Sequence, residues 1–62
     1  SFSRFIQEIR IGEAKRLLME TEWNIAHIAL ECGFENLSNF NRQFLNITQC
    51  TPAQYRKKIK DI

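Results

Sequence analysis

Ser38, Asn41 and Arg42 recur at i, i+3 and i+4 in a stretch whose apolar residues follow a helical period. On a helix those three positions share one face. An arginine fork matches the O6 and N7 acceptors of guanine, and an asparagine amide matches the N6 and N7 edge of adenine. The helix that would carry them contains no acid, so nothing on it would repel phosphates. Other chemistry finds little support. The single histidine, His27, points away from the apolar stripe of its own segment and reads as a surface residue. The two cysteines, Cys32 and Cys50, have no CxxC spacing, and with one histidine they make no zinc site. Each sits in an apolar pattern and reads as a small buried hydrophobe. There are no paired carboxylates facing a cleft, no glycine-rich phosphate loop and no nucleophile set beside a base. The reading is of a non-enzyme with no cofactor and no metal.

Size and composition narrow the classes further. A chain of 62 residues is one small domain at most, and a chain of this size buries only about 60% of its unfolded surface. The hydrophobic fraction of 44% beside 26% charged residues belongs to a folded chain, not a disordered one. No apolar run approaches the roughly 20 residues of a membrane span, and no secretion signal is visible. A cytoplasmic setting without membrane partners is therefore expected, in which thiols stay reduced. The net charge is +2 and the pI is near 8.8. That is only mildly basic, but the charges are unevenly placed. Arg56, Lys57, Lys58 and Lys60 gather at the C-terminal end, whereas Glu8, Glu13, Glu20, Glu22, Glu31 and Glu35 are spread through the first part.

Helical signals account for the whole chain, and no strand signal or repeat interrupts them. A first helix is expected over Phe2 to Glu20 with Ser1 as N-cap. It carries two apolar stripes. Phe2, Phe5, Ile6 and Ile9 form one, and Ile11, Ala14, Leu17 and Leu18 form another, turned by roughly a quarter turn or more at 100° per residue. Gly12 lies between them. Two stripes on two faces serve two cores, of which this chain supplies one. A second helix is expected over 25–32, capped by Asn24, with Trp23 and Ile28 as a hydrophobic staple. Its inward stripe is Ile25, Ile28, Ala29 and Cys32, and Gly33 is placed as a left-handed stop. A third helix over 37–47, capped by Asn36, buries Leu37, Phe40, Phe44 and Ile47. It turns Ser38, Arg42, Leu45 and Asn46 outward, with Asn39 and Asn41 more lateral. A fourth over 52–60 opens with Thr51-Pro52-Ala53-Gln54, which joins an N-cap, a proline at the first helical position and a capping-box Gln. Tyr55 and Ile59 face inward, and the helix frays near Asp61.

Two short helices joined by Gly33-Phe34-Glu35 have the dimensions of a helix-turn-helix. Ala29 is small where the second helix would cross, and Gly33 can take the positive φ that the turn needs. The first turns of the second helix in such a motif usually enter the major groove. The alternative on pattern alone is a generic helical module whose polar face is merely solvated.

The stretch from Ile25 to Arg56 resembles the signature region of the AraC/XylS family of bacterial transcription regulators. The matching residues are Ile25-Ala26, Gly33-Phe34, Phe40 with Arg42 and Phe44, Thr51-Pro52, and Tyr55-Arg56. Arg10, Ile11, Ala14 and Leu17-Leu18 resemble that family's linker helix. The resemblance implies an all-α fold: residues 1–20 as linker helix, and 21–62 as the second of two homeodomain-like helix-turn-helix subdomains. It implies sequence-specific binding of double-stranded DNA in transcription regulation, activation being the commoner mode, with helix 37–47 in the major groove. The first subdomain and any effector domain are then missing, and Phe2, Phe5, Ile6 and Ile9 would pack on the absent subdomain or self-associate. By position, the base-reading face is Leu37, Ser38, Asn41 and Arg42. Phosphate contacts fall to Asn24 at its helix N-terminus, to Asn39, and to Arg56 and Lys57, of which Arg56 could equally be a solvated residue. RNA polymerase is a further partner on this reading. A protein-interaction module is the competing function.

Three residues depart from the family pattern. Gln49 stands where glycine usually closes the recognition helix, which predicts a different helix exit or modest strain. Leu45 and Asn46 stand where Lys or Arg is common, so phosphate-binding charge is lost. Leu37 replaces a polar residue, to lie against a thymine methyl or at the core's edge.

Overall fold

The computed structural model describes residues 2–60. In chain order they form α1 (Phe2–Glu20), α2 (Ile25–Glu31), α3 (Leu37–Thr48) and α4 (Pro52–Lys60), with no strand among the described residues. The fold is all-α. The expected cap at Ser1 and the fraying at Asp61 lie outside the described residues.

α1 keeps its two stripes apart. Ile11, Ala14, Leu17 and Leu18 are buried and pack against the other three helices. Phe2, Phe5 and Ile9 of the first stripe are 79%, 58% and 54% exposed and stay uncovered by the described residues. Ile6 is half-buried. On the solvent side, Arg16 reaches Glu13 on one side and Glu20 on the other. The hydrogen bond from Arg16 holds the Glu13 carboxyl below the usual carboxylate range, and the Arg16 guanidinium is raised in turn. These groups are exposed, so their pairing stabilises the helix only weakly.

α2 is seven residues long, too short to persist alone in water, and its ends and one face are tied down. Asn24 Oδ1 accepts the His27 amide at 2.8 Å, which satisfies one of the free amides of the first turn. At the other end Cys32 is the C-cap, one residue earlier than the spacing predicts. Gly33 takes φ 89°. Its amide donates to Leu30 O at 3.1 Å, and the Phe34 amide donates to Ala29 O at 3.0 Å, the pair of bonds of a Schellman stop. A β-carbon at Gly33 would lie 3.4 Å from Arg10 Nε, an ordinary contact with the end of a flexible side chain, so it is the positive φ that calls for glycine here.

An aromatic file runs through the core from this turn. Phe34 meets Phe40 edge-on at 5.1 Å, Phe40 meets Phe44 at 5.7 Å, and Phe44 meets Tyr55 edge-on at 5.5 Å. Such pairs contribute about 0.5–1.5 kcal/mol each beyond area burial, and here they join the turn, α3 and α4. Asn36 caps α3 by accepting the Asn39 amide at 2.8 Å. α4 starts with the reciprocal capping box: Gln54 N donates to Thr51 Oγ1 at 3.1 Å, and Thr51 N donates to Gln54 Oε1 at 2.9 Å. Pro52 is fully buried.

Two expectations are corrected here. Trp23, expected to meet Ile28, has His27 as its stacking partner. Its ring lies flat on His27, with centroids 4.4 Å apart and planes 4° apart, and it remains 38% exposed. His27 Nε2 also lies 3.6 Å from Glu31 Oε1, so this histidine is a partnered surface residue. The second correction is Arg56. Its Nε donates to Leu18 O at 3.2 Å, its Nη1 to Trp23 O at 2.7 Å and its Nη2 to Thr21 O at 3.3 Å. The guanidinium satisfies carbonyls at the end of α1 and in the connection to α2, where no helical amide is available. The phosphate contact expected of Arg56 gives way to this fastening of α4 onto α1. Lys60 adds a 2.6 Å contact to Glu22 Oε1, and that hydrogen bond lowers the Glu22 carboxyl. A lowered carboxylate stabilises the fold above its ordinary range and loses that effect as pH falls through its folded value.

Arg56→Ala is expected to destabilise the chain by about 1–3 kcal/mol, since hydrogen bonds to a charged donor are lost and carbonyls are left bare. Urea denaturation followed by circular dichroism reads this. A midpoint equal to that of the parent would show that the three contacts contribute nothing.

Candidate nucleic-acid interface

The rotation of α3 about its own axis is set by Phe40 and Phe44, both fully buried. The opposite side is thereby fixed as the exposed one, and it carries Ser38, Arg42, Leu45, Asn46 and Gln49. Asn41 is exposed on one flank. There it joins Ile25, Leu37, Thr51, Pro52 and Ala53 around a shallow groove between α2, α3 and the start of α4. Asn39 is half-buried on the other flank. Leu37 is 42% exposed, so it lies at the edge of the core and still reaches solvent. Of the expected base-reading set, Ser38, Asn41 and Arg42 do share one exposed surface, with Leu37 at its border.

The set expected to contact phosphates does not gather at one place. Asn24 sits at the start of α2 with its side-chain oxygen already engaged by the His27 amide. Lys57 is exposed on α4. Arg56 is committed to carbonyls. The outward face runs on through Leu45 and Asn46, as the spacing predicts, and with Arg42, Gln43 and Gln49 they line a second hollow. Positions 38, 42, 45 and 49 follow i, i+4, i+7 and i+11, so Gln49, just past the helix, extends the same face.

α3 ends at Thr48, and Gln49 adopts the left-handed conformation with φ 69° and ψ 14°. Its amide donates to Leu45 O at 2.8 Å, and its side-chain Nε2 donates to Asn46 O at 3.1 Å. The helix exit is thus the one glycine would give, reached by a residue with a β-carbon that disfavours it. Of the two alternatives open in the sequence, a different exit or modest strain, the second is the one adopted.

Cys32 is buried and Cys50 half-buried, and they are not bonded to each other. Burial pushes the Cys32 thiol up, and the Glu13 and Glu31 carboxylates add to the effect. Among the described residues no three of His, Cys, Asp and Glu come together as a metal site, and no helix is long and apolar enough to cross a membrane.

A short helix, a glycine turn and a second helix whose polar face is held outward by buried rings define a helix-turn-helix unit. Comparison with known proteins agrees. Residues 1–58 match the helix-turn-helix domain family. A transcriptional activator RhaR from Yersinia pestis is 38% identical over 58 residues, covering 94% of this chain and 20% of its own length. The RhaR activator of Mannheimia succiniciproducens is 31% identical over 58 residues, with 94% and 21% covered. In three dimensions the chain resembles the C-terminal domain of the two-component response regulator yesN from Fusobacterium nucleatum. The TM-score is 0.87 at 38% identity, over 90% of this chain and 54% of that one. The chain belongs to the AraC-type helix-turn-helix family of transcription regulators. It spans about a fifth of the length of these curated relatives.

Gln49→Gly is expected to stabilise the chain by about 0.5–1 kcal/mol, through relief of the left-handed β-carbon less the lost side-chain bond to Asn46. A rise in the thermal midpoint checks this, and an unchanged or lower midpoint contradicts it.

Proposed function

We propose that this chain binds double-stranded DNA sequence-specifically, with α3 lying in the major groove. The observation that carries this reading is the exposed face of α3, where Ser38, Asn41 and Arg42 stand together with no carboxylate on the helix. Arg42 is assigned the guanine-type contact and Asn41 the adenine-type contact. Ser38 and Leu37 complete the approach at the N-terminal turns. Asn24, Asn39 and Lys57 are assigned to phosphates. Arg56 acts by holding α4 against α1. The role is regulatory, with no bond made or broken, and its setting is the bacterial cytoplasm. RNA polymerase is the protein partner that this reading brings to the whole regulator.

The stripe of exposed Phe2, Phe5 and Ile9 with half-buried Ile6 supports a second contact. A patch of this kind on so small a domain marks an interface. Its proposed occupant is a further helix-turn-helix subdomain, which fits a solved relative of which this chain covers 54%. In the chain by itself, a second copy covers the stripe.

Arg42→Ala is expected to weaken binding to the preferred duplex by about 1–3 kcal/mol and to relax base preference at one position. Affinity should also fall steeply with salt as counterions are released. An amide-resolved titration with a short duplex at low salt tests the placement, with shifts concentrated near Asn24 and from Leu37 to Arg42. A folded spectrum indifferent to DNA would instead favour a protein-contact module, whose apolar contact would barely respond to salt.

Phe5→Glu is expected to abolish concentration-dependent self-association in sedimentation and to leave the thermal midpoint of the monomer unchanged. A parent chain that stays monomeric at millimolar concentration would overturn the covering role.

A further inference from the structure

Leu45 is the one apolar residue in the middle of the polar face of α3. It is 48% exposed and is not among the side chains packed on the core. An exposed leucine alone is ordinary, but this one has a particular position. A recognition helix lying along the groove reads bases with residues at i, i+3, i+4 and i+7. Ser38, Asn41, Arg42 and Leu45 are such a set. Leu45 lies about 4.5 Å further along the axis than Arg42, close to the roughly 3.4 Å rise of one base step. Its neighbours in the hollow, Arg42, Gln43, Asn46 and Gln49, are all polar. A side chain there would be desolvated against whatever lies on the groove floor. The only apolar group that a base pair shows in the major groove is the 5-methyl of thymine.

We infer that Leu45 is a specificity-determining residue that reads a thymine methyl at the base pair adjoining the one read by Arg42. The inference rests on the DNA-binding reading above and extends it. A chain that lacks phosphate-binding charge at this turn recovers discrimination there through apolar contact. The preference is for a methyl group, so it is independent of salt, whereas a lysine at the same position would act through phosphate and would respond to salt.

The test begins by selecting duplexes from a randomised library with this chain at low salt. Each thymine of the enriched site is then replaced singly by deoxyuridine, which removes the methyl and nothing else. At the thymine beside the base pair whose preference Arg42→Ala relaxes, this replacement is expected to weaken binding by the parent chain about fourfold. It should leave Leu45→Ala unaffected. Leu45→Lys should bind all sequences more tightly at low salt, with a steeper salt dependence, and should be indifferent to the methyl. An enriched site at which no thymine replacement matters would overturn the inference, as would a Leu45→Ala chain that keeps the full sensitivity. Either result leaves the DNA-reading assignment standing. Failure to enrich any sequence would remove that assignment and the role of Leu45 with it.

Discussion

Two phenyl rings govern what this molecule presents to its surroundings. Phe40 and Phe44, both fully buried, lie on one side of α3 and are held by Phe34 from the turn and Tyr55 from α4. A helix anchored at two points one turn apart cannot rotate about its axis without pulling a ring out of the core. The direction in which Ser38, Arg42 and Leu45 point is therefore a packing consequence. The turn must be tight enough to bring Phe34 to the file, which is why Gly33 takes a positive φ beneath Arg10. α4 must sit close enough for Tyr55 to close the other end, and its capping box and the grip of Arg56 keep it there.

Much of this was legible in the sequence, for reasons that differ from element to element. The inward stripes of α1 and α3 follow from periodicity, because buried faces of helices repeat at a fixed angle. The caps at Asn24, Asn36 and Thr51 were legible because a side-chain oxygen three residues before a free amide is a local arrangement. The roles of Trp23 and Arg56 were not. A staple and a stack both begin with an aromatic residue before the N-cap, and the choice turns on whether His27 offers a flat partner. Arg56 joins residues 38, 33 and 35 positions away. Contacts of that range leave no mark on local spacing, so a basic residue near other basic residues was read as a surface charge. The exposed face of α3 was legible as far as Asn46, because Ser38, Arg42, Leu45 and Asn46 fall opposite the buried rings at a helical period. Gln49, one residue past the helix, shows in the sequence only as a departure from the family pattern.

The charge pattern at the C-terminal end changes meaning once folded. Four basic residues cluster there in the sequence. Arg56 is turned inward to carbonyls, and Lys60 is paired with Glu22. Lys57 and Lys58 remain exposed. The cation count available to a duplex is smaller than the composition implies, and the outer turns of α3 add none beyond Arg42. On the proposed DNA-binding reading, such a surface would lean on fit to base edges more than on attraction to the backbone, which favours selectivity over strength.

α1 is a single uninterrupted helix with its N-terminal stripe outside the core and its C-terminal stripe inside it. Such a helix behaves as a spacer with a built-in phase. Its 19 residues set a separation of about 28 Å between its ends, and each residue contributes a fixed rotation of about 100°. Whatever docks on Phe2, Phe5 and Ile9 inherits both quantities relative to α3. One residue inserted at Gly12, where an added β-carbon would meet nothing within 4 Å, would move a body docked on the stripe by only about 1.5 Å but swing it by more than a quarter of a turn. If α3 reads a duplex as proposed and a further helix-turn-helix docks on the stripe, that swing would carry the second helix off the face of a DNA that repeats every 10–10.5 base pairs. On that reading the length of α1 matters to the choice of site as much as any side chain on α3.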